Sequence, residues 1–153
     1  MHSHVRTTSE NTDFIILVQG LDKELSIRNG DKDAFYAQFN KIDLIKNVVI
    51  LYADQTPVGC GAFKEFTSKQ VEIKRMYVLP PFRNQGIASA VLVQLETWAY
   101  ELGYESCVLE TGTMLPEAIQ LYEKLGYRRI PNYGQYQGIA ESVCFEKSLN
   151  RSH

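Results

Sequence analysis

A short turn between a strand-like segment and an amphipathic helix pattern constrains the fold of this 153-residue chain more than any other feature. The strand-like segment ends at Val78, and the helix pattern extends to about Leu102. Between them lies Arg83-Asn84-Gln85-Gly86-Ile87-Ala88. The first N–H groups of a helix have no partner within the helix and carry partial positive charge, and glycine lets a ligand approach the backbone closely. The segment therefore predicts a phosphate-binding loop, although an ordinary turn before a helix has the same Arg and Gly spacing.

Pattern and charge argue against several classes of function. The chain contains no GxxxxGK(S/T) and no GxGxxG, which argues against a P-loop and a dinucleotide-binding turn. The net charge is −2 with scattered basic residues, so neither a nucleic-acid partner nor a membrane surface is expected. The longest apolar run near the N-terminus, residues 14–18, is too short for a membrane span or a signal-peptide core. We expect a cytoplasmic protein, and the sequence does not decide between a monomer and a homodimer.

The cysteines and histidines predict neither a metal site nor a triad hydrolase. The three cysteines lie in separate strand-like apolar runs, where a buried small side chain is the usual interpretation. The three histidines lie at the two ends of the chain, so none is available inside the fold. These residues are Cys60, Cys107 and Cys144, and His2, His4 and His153. Acid–base chemistry in this chain must therefore use Glu, Asp, Tyr or water.

Apolar periodicity and turn residues divide the chain into strands and helices within one predicted domain, residues 1–153, of which 1–12 are expected to be disordered. The predicted strands are 13–19, 47–53, 58–66, 70–78, 105–110, 127–130 and 142–147. The predicted helices are 22–28, 31–40, 86–102 and 116–125. An antiparallel meander followed by strand, helix and strand predicts a mixed sheet with helices on both faces.

Two segments resemble the acetyl-CoA-binding half of the GNAT superfamily of N-acetyltransferases: IKRMYVLPPFRNQGIASAVL and PEAIQLYEKLGYRRI. The first matches the family signature (Gln/Arg)-x-x-Gly-x-(Gly/Ala), and the second matches Ala-x-x-x-Tyr-x-x-x-Gly-(Phe/Tyr). The fixed positions are Arg83, Gly86 and Ala88 in the first segment, and Ala118, Tyr122, Gly126 and Tyr127 in the second. The resemblance covers roughly residues 47–147, and the first 45 residues match only in their coarse layout.

The resemblance implies the α/β (α+β) GNAT fold, with a mixed, mostly antiparallel central sheet and helices on both faces. It also implies acetyl-CoA as co-substrate without a metal, bound where two parallel strands splay apart, here those ending at Val78 and Glu110. Backbone N–H groups at Met76 or Val78 would hold the thioester carbonyl. The residues expected to bind the cofactor are Met76, Tyr77, Val78, Arg83, Asn84, Gln85, Gly86, Ile87, Ala88 and Ser89.

Acetyl transfer to an amine also needs a base for the ammonium proton and an acid for the departing thiolate. Glu72 is the first candidate base, because histone acetyltransferases of the superfamily have a Glu at the matching position. Its strand parity also fits a solvent-facing residue, and Glu110, at the end of the neighbouring strand, is the second candidate. Tyr122 is the candidate acid, although a stripe of apolar residues on its helix also fits a core tyrosine.

Recognition of the acceptor is expected outside the two motifs. Many family members have Asn where this chain has Leu115, so Thr111 or Thr113 would have to supply that polar contact. The segment 131–138, with two tyrosines between glycines, suits a lid over a small ligand, and a surface turn is the alternative. Charged residues that could bind a substrate are Arg75 and Arg128 for a carboxylate, and Asp22 and Glu24 for an amine.

The sequence thus predicts an acetyl-CoA-dependent N-acetyltransferase that passes the acetyl group directly to a primary amine of a small molecule. One alternative is an acetyltransferase that acts on protein lysines or N-termini. The other is a non-catalytic acyl-CoA-binding module, against which the retained Tyr122 argues.

Overall fold

Seven strands form a sheet with the order β1-β2-β3-β4-β5-β7-β6 in the computed structural model, which describes residues 1–29 and 44–149. The strands are β1 His2–Thr7, β2 Asn47–Ala53, β3 Thr56–Thr67, β4 Gln70–Val78, β5 Ser106–Gly112, β6 Arg128–Ile130 and β7 Ser142–Ser148. The helices in this described part are α1 Thr12–Asn29, α2 Ile87–Glu101 and α3 Pro116–Lys124. The predicted helix 31–40 lies outside the described residues.

Strand pairing confirms the predicted mixed, mostly antiparallel sheet. The pairs β1–β2, β2–β3, β5–β7 and β6–β7 are antiparallel, whereas β4 and β5 are parallel. The parallel ladder joins Gln70–Glu72 to Ser106–Val108, although β4 continues to Val78 and β5 to Gly112. A parallel pair that continues beyond its ladder is what a splayed pair of strands requires.

The N-terminal part of the chain differs from the sequence prediction at residues 13–19, which begin α1 instead of forming a strand. The Asn11 side chain caps this helix, accepting hydrogen bonds from the N–H groups of Asp13 at 2.8 Å and Phe14 at 3.2 Å. Phe14, Leu17 and Val18 are buried at helical spacing, while Ile16 is 58% exposed. The apolar run was therefore one face of a helix, with Ile16 outside that face.

Residues 2–7 form β1 rather than the expected disordered segment. This strand pairs with β2 along its full length, from His2 opposite Ala53 to Thr7 opposite Val48. Its side chains are almost all exposed, so the strand is held by backbone pairing at the edge of the sheet and leaves no apolar pattern in the sequence.

The chain divides into two compact units, and the prediction of one domain over residues 1–153 stays a prediction. The first unit comprises the described parts of residues 1–63 and 75–95, and the second those of 64–74 and 96–149. The core of the first unit contains Phe14, Leu17, Val18, Ile45, Val48, Ile50, Cys60, Ala62 and Tyr77. Buried residues of the second include Cys107, Val108, Leu109, Tyr122, Tyr127, Val143 and Phe145.

Two glycines of β3 let other parts of the first unit approach closely. A Cβ atom on Gly59 would lie 2.6 Å from Cγ2 of Ile87, the first residue of α2. A Cβ atom on Gly61 would lie 2.5 Å from the Met76 sulfur and 2.8 Å from Cδ1 of Leu95. The start of α2, which follows the predicted phosphate loop, therefore depends on these glycines for its position on the sheet.

None of the helices described is both long and apolar enough to cross a membrane. Within residues 1–29 and 44–149, no group of three or more His, Cys, Asp or Glu side chains is arranged to hold a metal ion. The thiols of Cys60, Cys107 and Cys144 are unpaired and buried, as their sequence context predicted, and burial raises the pKa of the Cys60 and Cys107 thiols to about 12.

Candidate functional site

The turn between β4 and α2 is built from short backbone hydrogen bonds and two left-handed residues. The Leu79 N–H donates to the Val58 carbonyl at 2.9 Å, and the Phe82 N–H donates to the Leu79 carbonyl at 2.9 Å, which closes a 3₁₀ turn. Asn84 and Gly86 then have φ of 64° and 80°. Asn and Gly tolerate this region better than other residues, so the sequence permits the reversal that leads into α2.

This turn presents a row of unpaired backbone donors. Within the described residues, no N–H group from Asn84 to Ser89 donates to a backbone carbonyl, and the first such bond of the helix runs from Ala90 to Gly86 at 3.0 Å. A Cβ atom placed on Gly86 would have no heavy atom within 4 Å, so the backbone there faces open space. Unpaired N–H groups and a helix N-terminus beside open space form an arrangement that fits an anion such as a pyrophosphate.

Arg83, the first position of the signature, is held by three neighbours in the first unit. Its Nε donates to the Val78 carbonyl at 2.9 Å, and its Nη2 donates to Oε1 of Glu24 at 2.8 Å. Its guanidinium carbon lies 5.5 Å from the centre of the Tyr77 ring. Tyr77 itself is buried against α1, where a Cβ atom on Gly20 would lie 2.9 Å from its hydroxyl. The side chains of Arg83 and Tyr77 thus both face α1.

Arg75 is a second arginine paired with α1. Its φ of 62° interrupts the regular course of β4, and its side chain is 3% exposed. Nη1 donates to Oδ1 of Asp22 at 3.1 Å, while Nη2 has no hydrogen-bond partner in the part of the chain that the structure describes. Asp22 and Glu24, which the sequence offered as attractors of an amine, are therefore ion-paired with arginines of this protein. Arg128 is exposed.

In the second unit, Glu72 is bound by a tyrosine of the segment predicted as a lid. The Tyr133 hydroxyl donates to Oε2 of Glu72 at 2.7 Å. The Tyr133 ring lies 4.8 Å from the Phe66 ring and 5.8 Å from the ring of Tyr136, which is buried. Glu72 is thus partly buried and hydrogen-bonded, and the choice between a base and a solvent-facing residue stays a prediction.

Glu110, in the same unit, has a strongly perturbed carboxylate. Burial raises its pKa from 4.5 to about 7; a hydrogen bond from Ser142 lowers it, the charge of Glu72 raises it, and Lys74 lowers it. On β5, Glu110 lies opposite Cys144 of β7. A carboxylate with a pKa near neutrality can both accept and return a proton at neutral pH.

Tyr122 interacts electrostatically with Glu110. Burial raises the pKa of its hydroxyl, and the charge of Glu110 raises it further. Its ring is 7% exposed and lies 5.8 Å from the Tyr127 ring and 6.1 Å from the Phe145 ring. The hydroxyl makes no hydrogen bond to a described residue. The charge of Glu72 thus acts on Glu110, and the charge of Glu110 acts on Tyr122. The catalytic roles that the sequence offered for these three residues stay predictions.

A family model supplies the decisive comparison, because the Acetyltransferase (GNAT) family model matches residues 18–127, more than two thirds of the chain. The chain belongs to the GNAT family of acetyltransferases. The resemblance in the two sequence motifs is thereby confirmed, and so is the fold that it implied.

Individual relatives and solved structures extend this comparison. YjgM of Escherichia coli K12, an uncharacterised N-acetyltransferase, is 38% identical over 76 residues, which are 48% of this chain and 46% of YjgM. The chain therefore spans about half the length of this curated relative. A candidate acyl-CoA N-acyltransferase of Klebsiella pneumoniae is 28% identical with a TM-score of 0.82, over 98% of this chain and 99% of that one. A GNAT acetyltransferase of Elizabethkingia anophelis, solved with acetyl-CoA bound, shares the fold with a TM-score of 0.68 and 17% identity, over 96% and 97% of the two chains.

Sequence patterns missed several parts of this GNAT protein. No sequence motif indicates that Tyr133 binds Glu72 or that Glu24 binds Arg83, since these partners are 61 and 59 residues apart. The Gly59-Cys60-Gly61 segment was a detectable signal, because two glycines inside a strand indicate a close approach. Leu115, in place of the common Asn, precedes α3 and forms no side-chain cap.

Proposed function

We propose that this GNAT protein transfers an acetyl group from acetyl-CoA directly to a primary amine of a small molecule. The observation that carries the proposal is the row of unpaired N–H groups from Asn84 to Ser89 at the start of α2, beside the open space at Gly86. The Elizabethkingia protein, which has the same fold and bound acetyl-CoA, supports the choice of cofactor. No metal takes part in the proposed reaction.

The backbone binds the cofactor in this proposal. N–H groups of Asn84–Ser89 hold the pyrophosphate, and backbone groups of Met76 to Val78 hold the pantetheine arm and the thioester carbonyl. When bound, acetyl-CoA supplies the acyl group as a thioester. Because the donors are backbone groups, the side chains of Tyr77 and Arg83 are free to face α1.

Glu110 accepts the proton of the amine in this mechanism, in place of Glu72, which the sequence favoured. An alkyl amine with a pKa of about 10.4 is mostly protonated at neutral pH, and losing that proton costs about 4 kcal/mol. A carboxylate with a pKa of about 7 is a better proton acceptor than an ordinary one, and yet is half ionised at neutral pH. Glu72, whose Oε2 accepts the Tyr133 hydroxyl, binds and orients the ammonium group instead.

Tyr122 supplies the proton to the leaving group. The free amine attacks the thioester carbon, the C–N bond forms as the C–S bond breaks, and the sulfur takes the phenolic proton. Its raised pKa keeps the hydroxyl protonated at neutral pH, and no described residue occupies it with a hydrogen bond. The nitrogen loses a second proton as the amide forms, and the Tyr122 phenolate takes it, so Tyr122 ends in its starting state. The reaction then releases one proton in total, which is the one that Glu110 took from the ammonium and passes on to water.

The proposed setting is the cytoplasm, with the amine as the partner and without nucleic acid or membrane. Three unpaired, buried thiols fit a reducing compartment, and a net charge of −2 offers no basic surface. A homodimer is compatible with this scheme.

A panel of amines tests the function. Purified protein and acetyl-CoA are mixed with small primary amines, with peptides bearing a free lysine or N-terminus, and with buffer alone, while CoA thiol release is followed. Fast release with small amines supports the proposal. Release confined to peptides would favour the protein acetyltransferase, and tight acetyl-CoA binding without any amine-dependent release would favour the non-catalytic module.

A further inference from the structure

We propose that Glu24 of α1 is a positioning residue for the cofactor loop, which it holds through Arg83. In this arrangement Arg83 fixes the loop to the end of β4 and does not itself touch the pyrophosphate. The inference rests on the proposed function, because the loop that Glu24 supports is the one proposed to bind acetyl-CoA.

The contacts of Arg83 define a tie between three segments of the first unit. Nε reaches the carbonyl of Val78, the last residue of β4, at 2.9 Å, and Nη2 reaches Glu24 at 2.8 Å. The two bonds leave from neighbouring nitrogens of one rigid, planar group, which fixes its orientation. The Tyr77 ring, 5.5 Å from the guanidinium carbon, gives the group a favourable surface on which to rest. Arg83 is therefore oriented by its neighbours before any ligand arrives.

The charges around Arg83 also argue against a direct contact between Arg83 and the pyrophosphate. A partly buried ion pair with side chains 36% and 29% exposed already neutralises the guanidinium. A pyrophosphate bound by Arg83 would have to compete with Glu24 and would place anionic oxygens beside that carboxylate. The unpaired N–H groups of Asn84–Ser89 carry no such opposing charge. The geometry thus favours backbone donors as ligands and Arg83 as their support.

Glu24 is separable from the general attachment of α1. The same helix is tied to β2 by Asp13, which accepts the Tyr52 hydroxyl at 2.6 Å. Removing that hydroxyl loosens α1 without touching Arg83, so Tyr52→Phe is a matched control for Glu24→Gln. Lysine at position 83 separates the two roles of the arginine, because it keeps the charge and cannot make both hydrogen bonds.

The experiment first measures the local stability of the loop in the free protein and then the affinity of the protein for acetyl-CoA. Hydrogen–deuterium exchange of residues 79–83 reports on the Leu79 and Phe82 amides, which are protected by hydrogen bonds. The proteins compared are wild type, Glu24→Gln, Arg83→Lys, Arg83→Gln, the Glu24→Gln/Arg83→Gln double variant and Tyr52→Phe. Calorimetric titration with acetyl-CoA gives the Kd of each protein. Thermal melting shows that each variant is folded.

We expect faster exchange and a Kd raised about 3- to 10-fold in all variants of Glu24 and Arg83, with the double variant no weaker than either single one. Tyr52→Phe should keep the wild-type Kd, and kcat at saturating acetyl-CoA should stay near wild type for Glu24→Gln. Wild-type affinity in Arg83→Lys, together with equal or tighter binding by Glu24→Gln, would show that Arg83 meets the phosphate and overturn the inference. Unchanged exchange in Glu24→Gln overturns it even if wild type binds no acetyl-CoA, a result that would separately refute the proposed function.

Discussion

Replacing Glu110 with glutamine should stabilise the protein at alkaline pH while it slows acetyl transfer. The pKa of Glu110 is about 7 in the folded protein, against an ordinary value of 4.5, so the folded state prefers the protonated carboxyl. The stabilisation that the protonated Glu110 carboxyl gives to the folded state is therefore fully present below pH 4.5, and it is lost as the pH rises through 7. The shift corresponds to about 3 kcal/mol at pH 8. Glutamine is neutral at every pH and removes this cost.

Urea unfolding at pH 5 and pH 8 measures the effect. The stability difference between Glu110→Gln and wild type should become more favourable to the variant by about 2 to 3 kcal/mol between the two pH values. Glu105→Gln, which neutralises an exposed carboxylate beside the start of the same strand, is the control and should not reproduce this trend. If the stability difference between the variant and wild type is the same at both pH values, folding does not raise the pKa of Glu110.

The same variant tests the role of Glu110 as base. Wild-type kcat/KM for the accepted amine should fall on the acid side of about pH 7, and this limb should be absent in Glu110→Gln. The loss should be partly recovered at high pH, where free amine is abundant. If Glu72→Gln removes the limb and Glu110→Gln keeps it, the roles proposed for the two carboxylates are reversed.

Three further variants test other parts of the site. Tyr122→Phe should lower kcat by about 10² to 10⁴ and leave acetyl-CoA affinity unchanged, and a loss confined to KM would mark Tyr122 as a packing residue. Gly86→Val should abolish the binding of acetyl-CoA measured by calorimetry. Gly103→Val is the control for backbone strain, because Gly103 also has a positive φ, 95° against 80° for Gly86, and this variant should bind acetyl-CoA normally. Tyr133→Phe should raise KM for the amine without changing the Kd of acetyl-CoA, because Glu72 loses its orienting hydrogen bond; an unchanged KM would remove Tyr133 from the acceptor site.

Strand and helix positions from β2 onward followed from the sequence because their signals are local. The alternation in β4, with Val71 and Ile73 buried and Glu72 and Lys74 only partly so, is visible in the letters themselves. The N-terminal part failed for two physical reasons. An apolar run of residues 14–18 fits a strand or one face of a helix equally well, and only the Asn11 cap decides for the helix. The exposed edge strand β1 has no apolar face to detect.

The candidate site was predictable in its parts and not in its pairings. The unpaired donors of the loop follow from the Gly86 signature and the helix start, which are consecutive in sequence. The pKa of Glu110 depends on burial by strands that meet it only in the fold, and no local pattern reveals it. The Glu24–Arg83 bond likewise depends on where α1 lies.

A crystal structure with acetyl-CoA would show whether the cofactor's pyrophosphate binds to the backbone of Asn84–Ser89. We expect several pyrophosphate oxygens within about 2.7 to 3.2 Å of these backbone nitrogens, with Arg83 still bound to Glu24. A pyrophosphate bound elsewhere, with these N–H groups facing water, would contradict this expectation.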